Sequence, residues 1–241
     1  MRDTLVLLPG WGLGTAPLEP LRDELLEIAP YLDVLIEPLP DMADASGWFD
    51  DIDARLPDNV WLGGWSLGGM IASELTRRRG DRTLGLITMA SNPCFVARHG
   101  WQSAMSRSVF TDFYEACTLD AELTLKRFTH LVSQGARDRK TLARLLQVAL
   151  PEMSGEVAVA GLELLAQLDT REALQAYSGP QLHLFASNDA LVPVSAAQAL
   201  MDEIPDIEVH VFEPASHGLP LERPDEIAAA IERFIYEGRD G

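Results

Sequence analysis

The stretch Gly63-Gly64-Trp65-Ser66-Leu67-Gly68-Gly69 decides how the rest of the chain is read. Its inner residues, Gly64 to Gly68, match G-x-S-x-G, the pattern of a nucleophile elbow, in which a serine sits on a sharp turn between a strand and a helix. The flanks supply that context. Asn59-Val60-Trp61-Leu62 is a short apolar strand candidate, and Met70-Ile71-Ala72-Ser73-Glu74-Leu75 reads as helix. A serine at the tip of such a turn is forced into a strained backbone conformation, and its hydroxyl projects clear of the sheet. Glycines on either side leave room where a Cβ would strike the neighbouring strand or helix. The amide of Leu67, at the start of the helix, points at an oxyanion formed beside Ser66.

Outward from the elbow, strands and helices alternate. Leu5-Val6-Leu7-Leu8 is continuously apolar, as expected for a strand buried on both faces of a parallel sheet. Pro9-Gly10-Trp11-Gly12 ends it. Residues 18–29 place Leu18, Leu21, Leu25, Leu26 and Ile28 at helical spacing, and Pro30 stops that helix. Val34-Leu35-Ile36 is the next strand; residues 41–57 are acidic and part helical around Trp48, Phe49 and Ile52. Strand 60–62, the elbow, a helix over 69–79 and a buried strand over 84–90 follow. This alternation with short links is the signature of a parallel sheet flanked by helices.

The alternation stops at about residue 100 and returns at Gln181-Leu182-His183-Leu184-Phe185-Ala186. Between them, residues 100–175 carry only helical periodicity, with Phe110, Phe113, Tyr114 and Cys117 on one stripe and Leu123, Phe128, Leu131 and Val132 on another. The division expected is a core over 1–98, a helical cap inserted at 99–176, and the rest of the core over 177–241. In that last part a helix over 194–203 precedes the final strand, Glu208-Val209-His210-Val211-Phe212, and a closing helix occupies 224–236.

Composition bounds the function. The chain has 241 residues, 47% hydrophobic and 23% charged, ordinary for a globular domain. No run approaches the ~18 apolar residues of a membrane span. Residues 4–8 are too short for a signal-peptide core, so a cytoplasmic location and no membrane partner are expected. Cys94 and Cys117 are read as free thiols, with no metal-ligand spacing around them. The net charge of −18 argues against nucleic-acid binding. It is uneven: residues 94–150 hold eight Lys/Arg and five acids, a local +3 in an otherwise acidic chain. Such an island is either a docking patch for an acidic partner or a solvated helix face.

A serine is a poor nucleophile until a base takes its proton and an acid orients the base. In α/β-hydrolases these groups follow in the order Ser, Asp, His. Ser66 follows one strand, Asp189 a later one and His217 the last, all at C-terminal strand ends, the edge where open α/β sheets place their sites. His183 and His210 lie inside strand candidates and are read as packing or surface residues; His99 and His130 fall in or beside the cap. The second oxyanion donor normally comes from the loop after the first core strand, which makes the amide of Trp11 the candidate. Trp65, beside the nucleophile, is a candidate wall of the acyl site.

The stretches Leu5 to Leu13, Trp61 to Gly69, Ala90-Ser91-Asn92-Pro93-Cys94-Phe95 and Ala160-Gly161-Leu162-Glu163-Leu164-Leu165 resemble the pimeloyl-[acyl-carrier protein] methyl ester esterases of biotin synthesis (BioH type), a family within the α/β-hydrolases. The resemblance runs from near residue 4 to near the C-terminus. It implies an α/β-hydrolase fold, a mostly parallel sheet flanked by helices with an inserted helical cap, acting as a serine carboxylesterase without metal or organic cofactor. It implies Ser66, Asp189 and His217 as the triad and Trp11 and Leu67 at the substrate site. Phe128 would line the acyl channel, and Arg127, Arg137, Arg139, Lys140 and Arg144 would face the acidic acyl-carrier protein. A monomer is expected. The chain departs from the family in carrying Pro9 where His is usual, in the loop after Pro40, and in a shortened turn near Gly135-Ala136; with Met1 almost at the first central strand, no leading strand pair is expected. Two other readings fit the residues: a broad short-chain carboxylesterase, and a non-catalytic binding protein on a hydrolase scaffold.

Overall fold

The structure is a computed structural model and describes the backbone of residues 2–239. The elements of the first half are β1 (Asp3–Leu8), α1 (Glu19–Ile28), β2 (Leu32–Ile36), α2 (Trp48–Arg55), β3 (Val60–Trp65), α3 (Leu67–Arg79) and β4 (Thr83–Met89). Helices α4 (Arg107–Leu119), α5 (Ala121–Val132), α6 (Arg139–Val148), α7 (Gly155–Gln167) and α8 (Arg171–Ala176) follow without an intervening strand. The chain then makes β5 (Gln181–Ala186), α9 (Ser195–Glu203), β6 (Glu208–Phe212), α10 (Leu219–Glu222) and α11 (Pro224–Arg239).

The strands form one sheet in the order β2-β1-β3-β4-β5-β6, and every pairing is parallel. Leu5, Val6, Leu7 and Leu8 are all fully buried, as a central strand covered on both faces must be. Edge strand β6 is only half-buried. Strand order reverses at β1: the chain moves one way from β1 to β2 and the other way from β3 onward. Right-handed crossovers therefore send α1 to one face and α2, α3, α8 and α9 to the other. The packing agrees. Helix α1 lies against α11, and α3 lies against α2 and α8. The crevice at such a reversal, outside the C-terminal strand ends, is where an open α/β sheet binds ligands.

Local sequence explains where the elements begin. Helix α3 starts at Leu67, two residues before the expected position, because Ser66 occupies its cap with φ 54° and the helix opens on the next residue. Polar caps start the inserted helices: Ser106, Asp120, Asp138 and Ser154 each accept a hydrogen bond from the backbone N–H three residues on. Helices α4 and α5 pack together and against α7, and α5 packs against α6. Helix α8, at the end of the stretch expected as cap, packs against α3 of the core.

Candidate active site

The elbow is built by close approach. A Cβ on Gly64 would lie 2.2 Å from the backbone of Gly68, and one on Gly68 would lie 2.3 Å from the carbonyl oxygen of Leu8. Only glycine lets β3, the start of α3 and the end of β1 come this near. Between them Ser66 is held at φ 54°, ψ −119°, a conformation that costs about 1–3 kcal/mol. Hydrogen bonds to its backbone hold it there. Ser66 N–H donates to Met89 O at 2.9 Å, the Ser91 hydroxyl donates to Ser66 O at 2.8 Å, and Gly69 N–H donates to the same oxygen at 3.0 Å. Leu67 is the first residue of α3, so its N–H is one of those with no partner inside the helix.

Asp189 follows β5 and His217 follows β6, and the structure brings the two side chains together. Asp189 Oδ2 lies 2.7 Å from His217 Nδ1. The other oxygen, Oδ1, accepts the N–H groups of Leu191 and Val192 at 2.8 and 2.9 Å, which fixes the plane of the carboxylate. Both side chains are buried. With Nδ1 facing the carboxylate, the imidazole presents Nε2, which is buried and has no hydrogen-bond partner among the described residues. The His217 carbonyl accepts the indole N–H of Trp65 at 2.8 Å, so the residue before Ser66 holds the residue that carries the imidazole.

Trp65, the candidate wall of the acyl site, is fully buried, and its indole N–H is spent on the His217 carbonyl. Ser66 opens into a cavity lined by Trp11, Phe113, Phe128, Leu131, Leu162 and Leu191, among other apolar side chains. Phe113 and Leu131 stood out in the sequence as members of helical stripes. Leu191, Phe95 and Met105 were not singled out as pocket residues, because nothing local separates them from ordinary core.

Trp11 lies in the turn after β1. Its indole N–H donates to Ala158 O of α7 at 2.8 Å, and its ring meets Phe128 edge-on at 4.9 Å between centroids and Phe113 at 5.5 Å. One residue earlier, a Cβ on Gly10 would lie 3.4 Å from Ser66 Cβ. The β1 loop thus touches the elbow on one side and the inserted helices on the other. A second cleft of about 200 Å³ lies beyond Trp11, between the loops after β1 and β2 and the Pro151–Met153 link; neither Ser66 nor His217 lines it.

Arg127 lies on the exposed face of α5, Arg137 in the turn after it, and Arg139, Lys140 and Arg144 on exposed positions of α6. No salt bridge joins any of the five to a carboxylate among the described residues, whereas the neighbouring Lys126 pairs with Glu122 at 2.6 Å. The other histidines have structural surroundings. His183 is buried in β5, with Nδ1 2.8 Å from the Thr88 hydroxyl and Nε2 3.3 Å from Gln181 Oε1; burial lowers its pKa to about 3. His210 lies 2.5 Å from Glu208 on the edge strand. Cys94 and Cys117 are free and buried, and burial, with a hydrogen bond to Asp169, pushes the Cys94 thiol up to about 12.

Residues 5–230 match the Alpha/beta hydrolase family. The pimeloyl-[acyl-carrier protein] methyl ester esterase of Aromatoleum aromaticum is 34% identical, over 97% of this chain and 98% of that protein. The biotin biosynthesis bifunctional protein BioHC of Cellvibrio japonicus is 33% identical over 98% of this chain; the chain spans about half the length (48%) of that relative. Among solved structures, an esterase from Exiguobacterium antarcticum superposes with a TM-score of 0.83 at 21% identity, covering 97% of this chain and 92% of its own, a likeness of fold. No helix among the described residues is long and apolar enough to cross a membrane.

Proposed function

The chain belongs to the Alpha/beta hydrolase family, among the pimeloyl-[acyl-carrier protein] methyl ester esterases, and we propose that it is a serine carboxylesterase that hydrolyses the methyl ester of pimeloyl-[acyl-carrier protein] in biotin synthesis. The observation that carries this is a set of groups at the C-terminal strand ends. A serine on a strained elbow opens into an apolar cavity, and a buried Asp–His pair with the imidazole Nε2 uncommitted is held to the residue before that serine by the Trp65–His217 hydrogen bond.

Ser66, His217 and Asp189 form the triad. His217 Nε2 takes the proton of the Ser66 hydroxyl as its oxygen attacks the ester carbonyl. Asp189 holds the tautomer that leaves Nε2 free and stabilises the imidazolium. The N–H groups of Leu67 and Trp11 receive the oxyanion of the tetrahedral intermediate. Its collapse breaks the bond to the methoxy oxygen, which leaves as methanol with the proton from His217. Water then attacks the acyl-enzyme with His217 again as base, and the freed carboxylate departs. These groups supply nucleophile, base and oxyanion stabilisation, so the enzyme needs neither metal nor organic cofactor.

The acyl chain lies in the apolar cavity, where Phe128 and Trp11 wall it. Helices 99–176 act as the cap that keeps water from it. On the exposed face of the cap, Arg127, Arg137, Arg139, Lys140 and Arg144 receive the acidic carrier protein. In a chain of net charge −18, a local basic face is what permits such docking. The enzyme works as a monomer in the cytoplasm. Growth of a biotin auxotroph lacking its own pimeloyl-ester esterase tests the assignment. Rescue by the wild type and not by Ser66→Ala supports it; absence of rescue by a wild type that still cleaves simple esters assigns a general carboxylesterase instead.

A further inference from the structure

Two segments far apart in sequence meet next to His217, and one carboxylate ties them together. Glu222, the last residue of α10, points back at the loop that carries the histidine. Its Oε2 accepts the backbone N–H of Ser216 at 2.8 Å and the Ser216 hydroxyl at 2.7 Å. Its Oε1 accepts the backbone N–H of Arg137 at 3.0 Å. Ser216 is fully buried and immediately precedes His217, while Arg137 lies in the turn between α5 and α6.

That turn is fastened to both loops of the Asp–His pair. Val132 O accepts the N–H of Gly218, the residue after His217, at 3.1 Å. Gly135 O accepts the side-chain amide of Asn188, the residue before Asp189, at 3.4 Å. Gly135 has φ 92°, and a Cβ there would come 2.2 Å from the Asn188 carbonyl oxygen, so the turn is seated on the Asp189 loop with no space between. Asn188 N–H in turn donates to Ala215 O at 2.9 Å, joining the two loops to each other.

We propose that Glu222 is a positioning residue for His217: it clamps the backbone of the histidine loop to the α5–α6 turn and thereby sets where Nε2 stands relative to Ser66. The inference rests on the triad reading above. Glutamate is needed because two separate donor groups approach two different oxygens. A glutamine offers one oxygen and one NH2, so whichever way it lies, the N–H of Arg137 or the donors of Ser216 face another donor. The histidine loop then loses an anchor while Ser66, Asp189 and the acyl cavity keep all their contacts. A small displacement of a catalytic group costs rate more than binding.

Glu222→Gln is compared with wild type on a carrier-free p-nitrophenyl ester and with a fluorophosphonate that labels an activated serine. Thermal unfolding confirms that the variant is folded at the assay temperature. Expected are a kcat, per titrated site, reduced about tenfold or more with KM within about twofold. Fluorophosphonate labelling slows by a similar factor but still ends at one label per chain. That endpoint separates mispositioning from a partly unfolded population, which would lower the endpoint instead. Ser216→Ala, which removes the hydroxyl that donates to Glu222 and accepts the Gly218 N–H at 3.3 Å but leaves the Ser216 and Arg137 N–H groups on the carboxylate, gives a smaller loss, and adding it to Glu222→Gln costs less than the product of the two. A Glu222→Gln variant that is labelled at the wild-type rate and turns over normally overturns the proposal. Failure of wild type itself to label overturns the triad reading, so the two failures are distinct.

Discussion

The indole N–H of Trp65 donates to the carbonyl oxygen of His217 at 2.8 Å, in a site with no access to solvent. The contact joins the residue before Ser66 to the backbone of His217, 152 residues away in the chain. Trp65→Phe keeps an aromatic ring in the core and removes the one donor, leaving a buried carbonyl unpaired. Urea unfolding should show a loss of about 1–3 kcal/mol. Turnover of a small ester should fall with KM little changed. Unaltered stability and turnover would show that the contact holds nothing in place.

The elbow makes a second, steric prediction. A methyl group on Gly68 has no space against the backbone of Leu8, whereas one at Gly155 would meet Ala121 Cβ at an ordinary 3.5 Å. Gly68→Ala should cost about 3 kcal/mol, and Gly155→Ala should be neutral or stabilising. Denaturant midpoints of the two variants settle the comparison; equal midpoints would contradict the packing described.

His183 predicts a pH dependence of stability. Its folded pKa is lowered by burial from 6.5 to about 3, so the unfolded chain binds the proton first as pH falls. The stabilisation from keeping it neutral is complete above pH ~6.5 and is lost progressively down to about 3, at a limiting slope of about 1.4 kcal/mol per pH unit. His183→Gln, which can still bond Thr88, should therefore lose less stability than wild type between pH 7 and pH 5. Parallel stability curves for the two proteins would count against this assignment.

How much of this was readable in advance follows the range of the interactions. Strand β1 and the elbow are written in a continuous apolar run and in glycine spacing, local signals that the fold keeps. Ser66, Asp189 and His217 each follow a strand, and the pairing of Asp189 with His217 was legible from that order. The Trp65–His217 and Glu222–Arg137 contacts had no such signal. Glu222 reads as one more acid in an acidic chain, and its partner Arg137 lies 85 residues away. Arg79 is similar: its type suggests solvent, yet its side chain is fully buried and paired with Asp53. An aromatic beside Ser66 does not reveal from sequence which partner its indole N–H takes; here it is the His217 carbonyl.

The basic face makes a prediction about the carrier. Arg139→Glu with Arg144→Glu, both on the exposed face of α6, should raise KM for the carrier-linked ester about tenfold and flatten its dependence on salt. The same variant should keep its KM for a small free ester, because electrostatic complementarity acts on the protein partner. Equal effects on both substrates would instead indicate damage to the cap.

The most direct test of the central claim is the rate of methanol release from pimeloyl-[acyl-carrier protein] methyl ester by the purified wild type and by Ser66→Ala, with monomethyl pimelate as the free-acid comparison. The account predicts rapid release from the carrier-linked ester, a loss of about 10³-fold or more in Ser66→Ala, and slower cleavage of the free ester. Release by Ser66→Ala at the wild-type rate, or none by the wild type, would contradict it.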